Sequence, residues 1–423
     1  MAALPLLIGC NVTLPLDMTA KRTRILVAPD KFKGALSARE AAENIAAGIR
    51  AVSPEAIIEI VPMADGGEGT AEVICQALEG SWFTCNAHDP FGREIGARYA
   101  WINNRNLAVM EMSEAAGMRR LSPNELDPER ASTFGVGEMI LDAANRGAEE
   151  IMIGLGGSAT NDGGAGMARA LGIRFIAENK ELTGLVSELE NLTRIALPSP
   201  GAARSRLPEG EDKGEGTPLS VFGASLVKIT AAVDVRNPLL GMNGATQVFG
   251  PQKGATPDNI PKLEHALARL ADVVAQQFHF DFRDQPGAGA AGGLGFGLMS
   301  FCGAAIRPGF ELVADLTKLE SKIANADLVI TGEGCLDRQT LSGKAPFGIA
   351  KLARKHGKRV ISMVGRANED KEARDLFDHV CIISDAERPE RENIARAGEL
   401  LSAAATAMAK RFNISPSRTS NRT

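Results

Sequence analysis

Asp30, Asp65, Glu68, Asp162, Asp234, Glu333 and Asp337 stand in short loops, most of them rich in glycine, where apolar runs of the chain end. Carboxylates in such loops can hold Mg²⁺ or accept the proton of a hydroxyl. Lys33, Lys253 and Lys344 can neutralise a phosphate or a carboxylate. Glycine lets backbone N–H groups come close to an anion, and a following helix adds its positive end. Together these residues supply what phosphoryl transfer requires. That chemistry is mostly positioning and charge neutralisation, and it needs neither His nor Cys. Any one of the acids alone reads as an N-cap or turn carboxylate, and that reading is expected to hold for two or three of the seven.

The loops recur. Asp30-Lys31-Phe32-Lys33-Gly34, Asp65-Gly66-Gly67-Glu68-Gly69-Thr70, Gly154–Gly164, Gly287–Gly295 and Gly332-Glu333-Gly334 with Asp337 are five separate cases. None is a Walker A loop, because Ala345 follows Gly343-Lys344 and Arg338 stands where the first glycine would be. No G-x-G-x-x-G follows the first strand, so a dinucleotide site is weakly supported. In open parallel sheets, ligands bind beyond the carboxyl ends of the strands, where these loops are expected.

The elements that must position them follow from periodicity. RILVA at 24–28 and AIIEIV at 56–61 read as strands around a helix that a Ser37/Glu40 capping box opens. The same rhythm returns near the C-terminus, with strands at 327–331, 359–364 and 379–383 and helices near 346–356 and 391–411. Short apolar strands alternating with helices imply a parallel sheet covered on both faces. Between these parts, 98–112 and 226–233 read as strands and 133–146 and 163–171 as helices. Residues 258–278 read as a long amphipathic helix with Leu263, Leu267, Leu270, Val274 and Phe278 on one side. The expected architecture is α/β: a flavodoxin-like, doubly wound parallel-sheet domain (21–65 and 290–412) interrupted by a second α/β domain (66–289). Residues 1–20, 198–218 and 413–423 are expected to be loose.

Composition bounds the function. The 423 residues carry 47 Lys+Arg against 52 Asp+Glu, a net charge of −5, and only 4% aromatics. A dedicated nucleic-acid binder would show a basic excess, so that class is disfavoured. An anionic substrate must be held by local donors. The six Cys form no C-x-x-C pair and the five His are scattered, which points away from a zinc ribbon or a dithiol centre. Unpaired thiols fit a reducing, cytoplasmic setting. No run reaches the ~18 apolar residues that would span a bilayer.

Seven stretches resemble the bacterial glycerate kinases of the galactarate and glyoxylate pathway type. They are APDKFKGALSA (28–38), VPMADGGEGT (61–70), GLGGSATNDGGAGMARALG (154–172), DVRNPLLG (234–241), VFGPQKGAT (248–256), PGAGAAGGLGFG (286–297) and DLVITGEGCLDRQTLSGKAP (327–346). They occur in the family order and cover the chain from about residue 24 to 410. The resemblance implies ATP- and Mg²⁺-dependent phosphorylation of D-glycerate, with 2-phosphoglycerate the usual product. Cys335 departs from the pattern, since that position usually carries Arg; Arg338 is the neighbouring substitute.

On this reading Asp162 or Asp65 deprotonates the attacking hydroxyl and the other helps hold Mg²⁺, with Lys33 beside them in the catalytic set. Asp30, Ser158, Gly66, Gly67 and Asp234 are expected at the substrate. Gly156, Gly157, Gly292, Gly293, Gly332, Glu333, Asp337 and Lys344 are expected at the nucleotide. The site is expected between the domains, and a homo-oligomer is left open. Two alternatives remain: a kinase for another small hydroxy or sugar acid, and a non-catalytic metabolite sensor on the same fold. A sensor should have lost loop carboxylates or lysines, and none is missing.

Overall fold

The computed structural model describes residues 22–178, 180–198, 227–368, 370–385, 387–412 and 414. The expectation of loose segments at 1–20, 198–218 and 413–423 falls, apart from Pro198 and Ile414, outside the described residues. In chain order the first strands are β1 (Arg24–Val27), β2 (Ile57–Ile60), β3 (Ser81–His88), β4 (Glu94–Ile102), β5 (Leu107–Glu111), β6 (Glu150–Gly154) and β7 (Arg174–Ala177). They are followed by β8 (Lys180–Glu181), β9 (Arg194–Ala196), β10 (Lys228–Val233), β11 (Ala305–Pro308), β12 (Leu328–Leu336), β13 (Arg359–Ala367) and β14 (His379–Ile382).

One five-stranded sheet has the order β14-β13-β12-β1-β2, and every pair in it is parallel. This is the flavodoxin order, with most of the chain inserted between its second and third strands. The strands of the sheet's interior are apolar on both faces because helices cover both. Ile25 and Val27 face one cluster with Ile45, Ile49 and Leu401, while Leu26 faces another with Val329 and Val360. The helix Ala38–Arg50 starts where expected: Glu40 N–H donates to Ser37 Oγ and Ser37 N–H to Glu40 Oε2.

The insertion builds a mixed six-stranded sheet, β11-β10-β6-β5-β4-β3, antiparallel at the β3–β4–β5 end and parallel from β5 to β11. A small antiparallel sheet, β8-β7-β9, packs beside it. The stretch expected as one strand over 98–112 is two, β4 and β5, joined at Asn106, whose φ is +47°. The return to the first sheet lies later than residue 290. The helix Ala290–Cys302 belongs to the core under the second sheet, and β11 pairs with β10, so the chain crosses back at Gly309. Leu26, Ala28 and Val329 of the first sheet share one apolar cluster with Ala100, Val109, Met152 and Ala232 of the second. No helix among the described residues is long and apolar enough to cross a membrane.

Candidate active site

A cavity of about 1300 Å³ is lined by loops that leave the carboxyl ends of parallel strands in both large sheets. From the first sheet come Asp30 and Lys33 after β1, Asp65, Gly67 and Glu68 after β2, Glu333 on β12 with Asp337 just beyond it, and Arg366 on β13. From the second come Gly156 and Gly157 after β6 and Asp234 after β10. The edges meet because the loops are glycine. A Cβ on Gly156 would stand 2.6 Å from Gly67 Cα, and one on Gly154 would stand 2.6 Å from the Gly66 carbonyl oxygen.

Asp65, Asp234 and Lys31 converge over Gly67. A Cβ there would lie 3.3 Å from Asp65 Oδ1, 3.7 Å from Lys31 Nζ and 4.0 Å from Asp234 Oδ2. Lys31 Nζ also donates to the Glu68 carbonyl at 2.5 Å, which holds it across the loop. Asp30 is buried beside them, and its own side chain accepts the Lys31 N–H at 2.7 Å. Burial, reinforced by repulsion from Asp65, pushes the Asp30 carboxyl up to about 7, against the attraction of Lys31. Asp234 is raised by the crowding of the cavity walls and then by Asp65. It is exposed toward the cavity, and its carboxyl is pushed up to about 8 against the attraction of Lys31. Glu333 is pushed up to about 7 by burial, opposed by the Thr340 hydroxyl that donates to it at 2.8 Å and by Lys344. The cavity therefore concentrates carboxyl groups poised to change charge near neutral pH, with lysines at its walls.

The structure brings Asp30, Lys33, Asp65, Gly67, Gly156, Gly157, Asp234, Glu333, Asp337 and Lys344 to this one cavity. Ser158 lines a smaller pocket that shares Gly156, Gly157 and Asp234 with it. Gly66 lies just beneath, wedged against Asp234 and Gly309. Four expected residues are elsewhere. Asp162 is fully buried, and its carboxylate accepts from Thr133 N–H, Thr133 Oγ1, Gly164 N–H and Gly166 N–H. It ties two helix N-termini together and lines neither the cavity nor the smaller pocket. Gly292 and Gly293 have φ of +69° and +89°, and a Cβ on Gly292 would lie 1.9 Å from the Thr160 carbonyl oxygen. They pack the Gly287–Gly295 loop against the 160–163 turn, away from the cavity. Gly332 is a strand-contact glycine whose Cβ would lie 2.2 Å from the Met363 carbonyl oxygen.

Lys31 and Arg366 were not picked out by the sequence reading. Lys31 sits two residues before the chosen Lys33, and only its reach to Glu68 distinguishes it. Arg366 is the β13 partner of Cys335 in the strand register, so it stands beside the departing cysteine, whereas Arg338 is exposed and does not line the cavity. That pairing is invisible without the sheet.

Comparison with known proteins shows the family to which the chain belongs. The glycerate kinase family model matches residues 25–413. A glycerate 2-kinase from Escherichia coli K12 is 39% identical over 348 residues, covering 82% of this chain and 86% of that one. A glycerate kinase from Bacillus subtilis 168 is 40% identical over 356 residues, covering 84% and 88%. A crystal structure of a candidate glycerate kinase 2 from Salmonella typhimurium LT2 superposes with a TM-score of 0.79 at 38% identity, covering 93% of this chain and 99% of that one. With strand order, loop set and relatives in agreement, the chain belongs to the glycerate kinase family.

Proposed function

We propose that this kinase transfers the γ-phosphoryl group of ATP to the 2-hydroxyl of D-glycerate in the large cavity, yielding 2-phosphoglycerate. The observation that carries this reading is the convergence of Asp65, Asp234 and Lys31 over Gly67, with Asp30 and Glu333 close by. Asp65 is the common negative neighbour that raises Asp30 and Asp234. It is the acceptor for the hydroxyl proton, while the partly protonated Asp30 and Asp234 can donate to the acid's oxygens. Lys33 and Lys344 face the phosphates, and Glu333 and Asp337 lie on the nucleotide side.

The donor set also fits a divalent cation. Mutually repelling carboxylates with few lysines favour one, and Mg²⁺ needs only one or two protein carboxylates beside phosphate oxygens. Asp65 would hold it through one oxygen and take the hydroxyl proton on the other. Asp162 would not, since the N–H and O–H groups around it occupy both of its oxygens. When bound, the ion would neutralise charge on the transferred group. Water exclusion falls to the walls that the two sheets bring together.

The test is product analysis with Mg-ATP and D-glycerate. ADP release with 2-phosphoglycerate is expected. Formation of 3-phosphoglycerate alone would overturn the positional claim, and turnover only with other hydroxy acids would overturn the substrate. Tight glycerate binding without turnover would favour a sensor.

A further inference from the structure

Lys253 is 1% exposed, yet it forms no ion pair with any described residue. Its Nζ donates to the Thr160 carbonyl oxygen at 2.7 Å, and no carboxylate oxygen lies within 4.0 Å of it among the described residues. Asp162, the charge nearest to mind, already accepts four hydrogen bonds from other groups. Burying an ammonium without a counterion is costly, and burial pushes this one down to about 7 despite the attraction of Asp162.

Lys253 lines a pocket of about 140 Å³ that adjoins the large cavity at Met118, Gly156, Gly157 and Asp234. Gly156, Gly157 and Ser158 also line it, and their backbone N–H groups donate to no acceptor among the described residues. Of the other lining residues, Leu155, Val233, Val235 and Phe249 are apolar and Gln252 is polar. The volume corresponds to roughly four or five waters of liquid, which admits the end of a small acid and not a nucleotide base with its sugar.

We propose that this pocket receives the carboxylate of the acceptor acid, with Lys253 as its counterion; the proposal rests on the hydroxy-acid kinase reading above. The carboxylate supplies the missing charge and accepts from the ammonium and from the free N–H groups. With its carboxylate seated there, a three-carbon acid carries its hydroxyls to the junction at Asp234 and on toward Asp65. The pocket thereby selects a short acid over an uncharged polyol, because an uncharged ligand leaves the lysine unpaired.

The experiment compares D-glycerate with glyceramide, in which an amide replaces the carboxylate, in steady-state kinetics of the full chain, and measures glycerate binding by calorimetry. In Lys253→Met the KM and dissociation constant for glycerate should rise about 30-fold or more. The KM for ATP should stay within about twofold, and the poor use of glyceramide should be nearly unchanged. Val235→Phe, which fills the pocket from another lining residue and leaves the lysine itself in place, should give the same selective loss, so the idea stays testable if Lys253→Met fails to fold. A rise in the KM for ATP instead, an equal loss with both acceptors, or glycerate binding untouched by Val235→Phe would overturn the proposal. Parent protein that binds glycerate in a Lys253-dependent way without phosphorylating it would sink the kinase reading and leave the pocket standing. Turnover of glycerate with Lys253-independent binding would do the reverse.

Discussion

Asp162 Oδ2 accepts both the backbone N–H and the hydroxyl of Thr133, each at 2.8 Å. The same oxygen takes Gly166 N–H at 3.1 Å and Oδ1 takes Gly164 N–H at 3.1 Å, while Met167 N–H donates to the Thr133 hydroxyl at 2.9 Å. The pair joins the start of the helix Phe134–Asn145 to the start of Ala165–Ala170. Every polar contact of this carboxylate is with a donor inside the fold.

Asp162→Asn should therefore be a stability variant. An amide has one oxygen where two are needed, and its NH₂ would face donors. A loss of about 1–3 kcal/mol is expected, the cost of leaving buried donors unpaired. Turnover at 25 °C should stay within about threefold of the parent, because no group that touches substrate changes. Thermal unfolding and kinetics on one preparation decide it: a variant that melts like the parent and loses two orders of magnitude in turnover would return Asp162 to the chemistry.

Asp65→Asn should do the opposite. Asp65 raises Asp30, Asp234 and Glu333 through its charge, so removing that charge relieves repulsion. The melting temperature should hold or rise, while turnover falls by roughly two to four orders of magnitude as the proton acceptor is lost. A variant with parental turnover would eliminate Asp65 as the base.

The cavity carboxyls also set a pH dependence of stability. Asp30 and Glu333 stand at about 7 in the folded chain, above their ordinary values of 3.8 and 4.5. Between those limits the folded state keeps protons that the unfolded state has released. The contribution of these groups is thus complete below their ordinary values and is lost as pH rises through about 7. Glu40, Glu125, Glu320 and Glu399 are shifted downward, so their opposite effect is spent below pH 5. Denaturant unfolding of the ligand-free protein from pH 5 to 7 should show stability falling, with a shallower slope in Asp65→Asn. A slope of the opposite sign would mean that the cluster is not crowded as described.

Two glycines separate packing from function. Gly292→Ala places a Cβ 1.9 Å from a backbone oxygen at a φ of +69°, so the variant should be poorly soluble or melt several degrees lower. In Gly67→Ala the nearest atoms to the new Cβ belong to the Asp65, Lys31 and Asp234 side chains, at 3.3 Å or more, over the cavity. It should fold normally and lose turnover by at least about tenfold through displaced carboxylates. Parental melting in the first or parental turnover in the second would reverse the assignment.

Much of this was legible in the chain. The apolar runs at 24–28 and 327–331, the capping box at Ser37 and the acids that end each run are local features, since a buried parallel strand and a helix start have their own residue requirements. Such features determine that a parallel sheet with acid-bearing loops exists, and Asp30, Asp65, Asp234 and Glu333 meet because the first three follow strands and Glu333 lies in the carboxyl-terminal half of β12. The loop Gly154–Gly164 shows where local reading stops. Gly156 and Gly157 open to the cavity, whereas Asp162, six and five residues further on, turns into the core. That turn is decided by residues distant in sequence: Asn161 donates to Thr246 Oγ1, the side chains of Leu267 and Leu270 crowd Gly163, and Gly292 abuts Thr160. A carboxylate that caps and one that does chemistry have the same sequence surroundings, and only the packing of far elements determines which of them meets solvent.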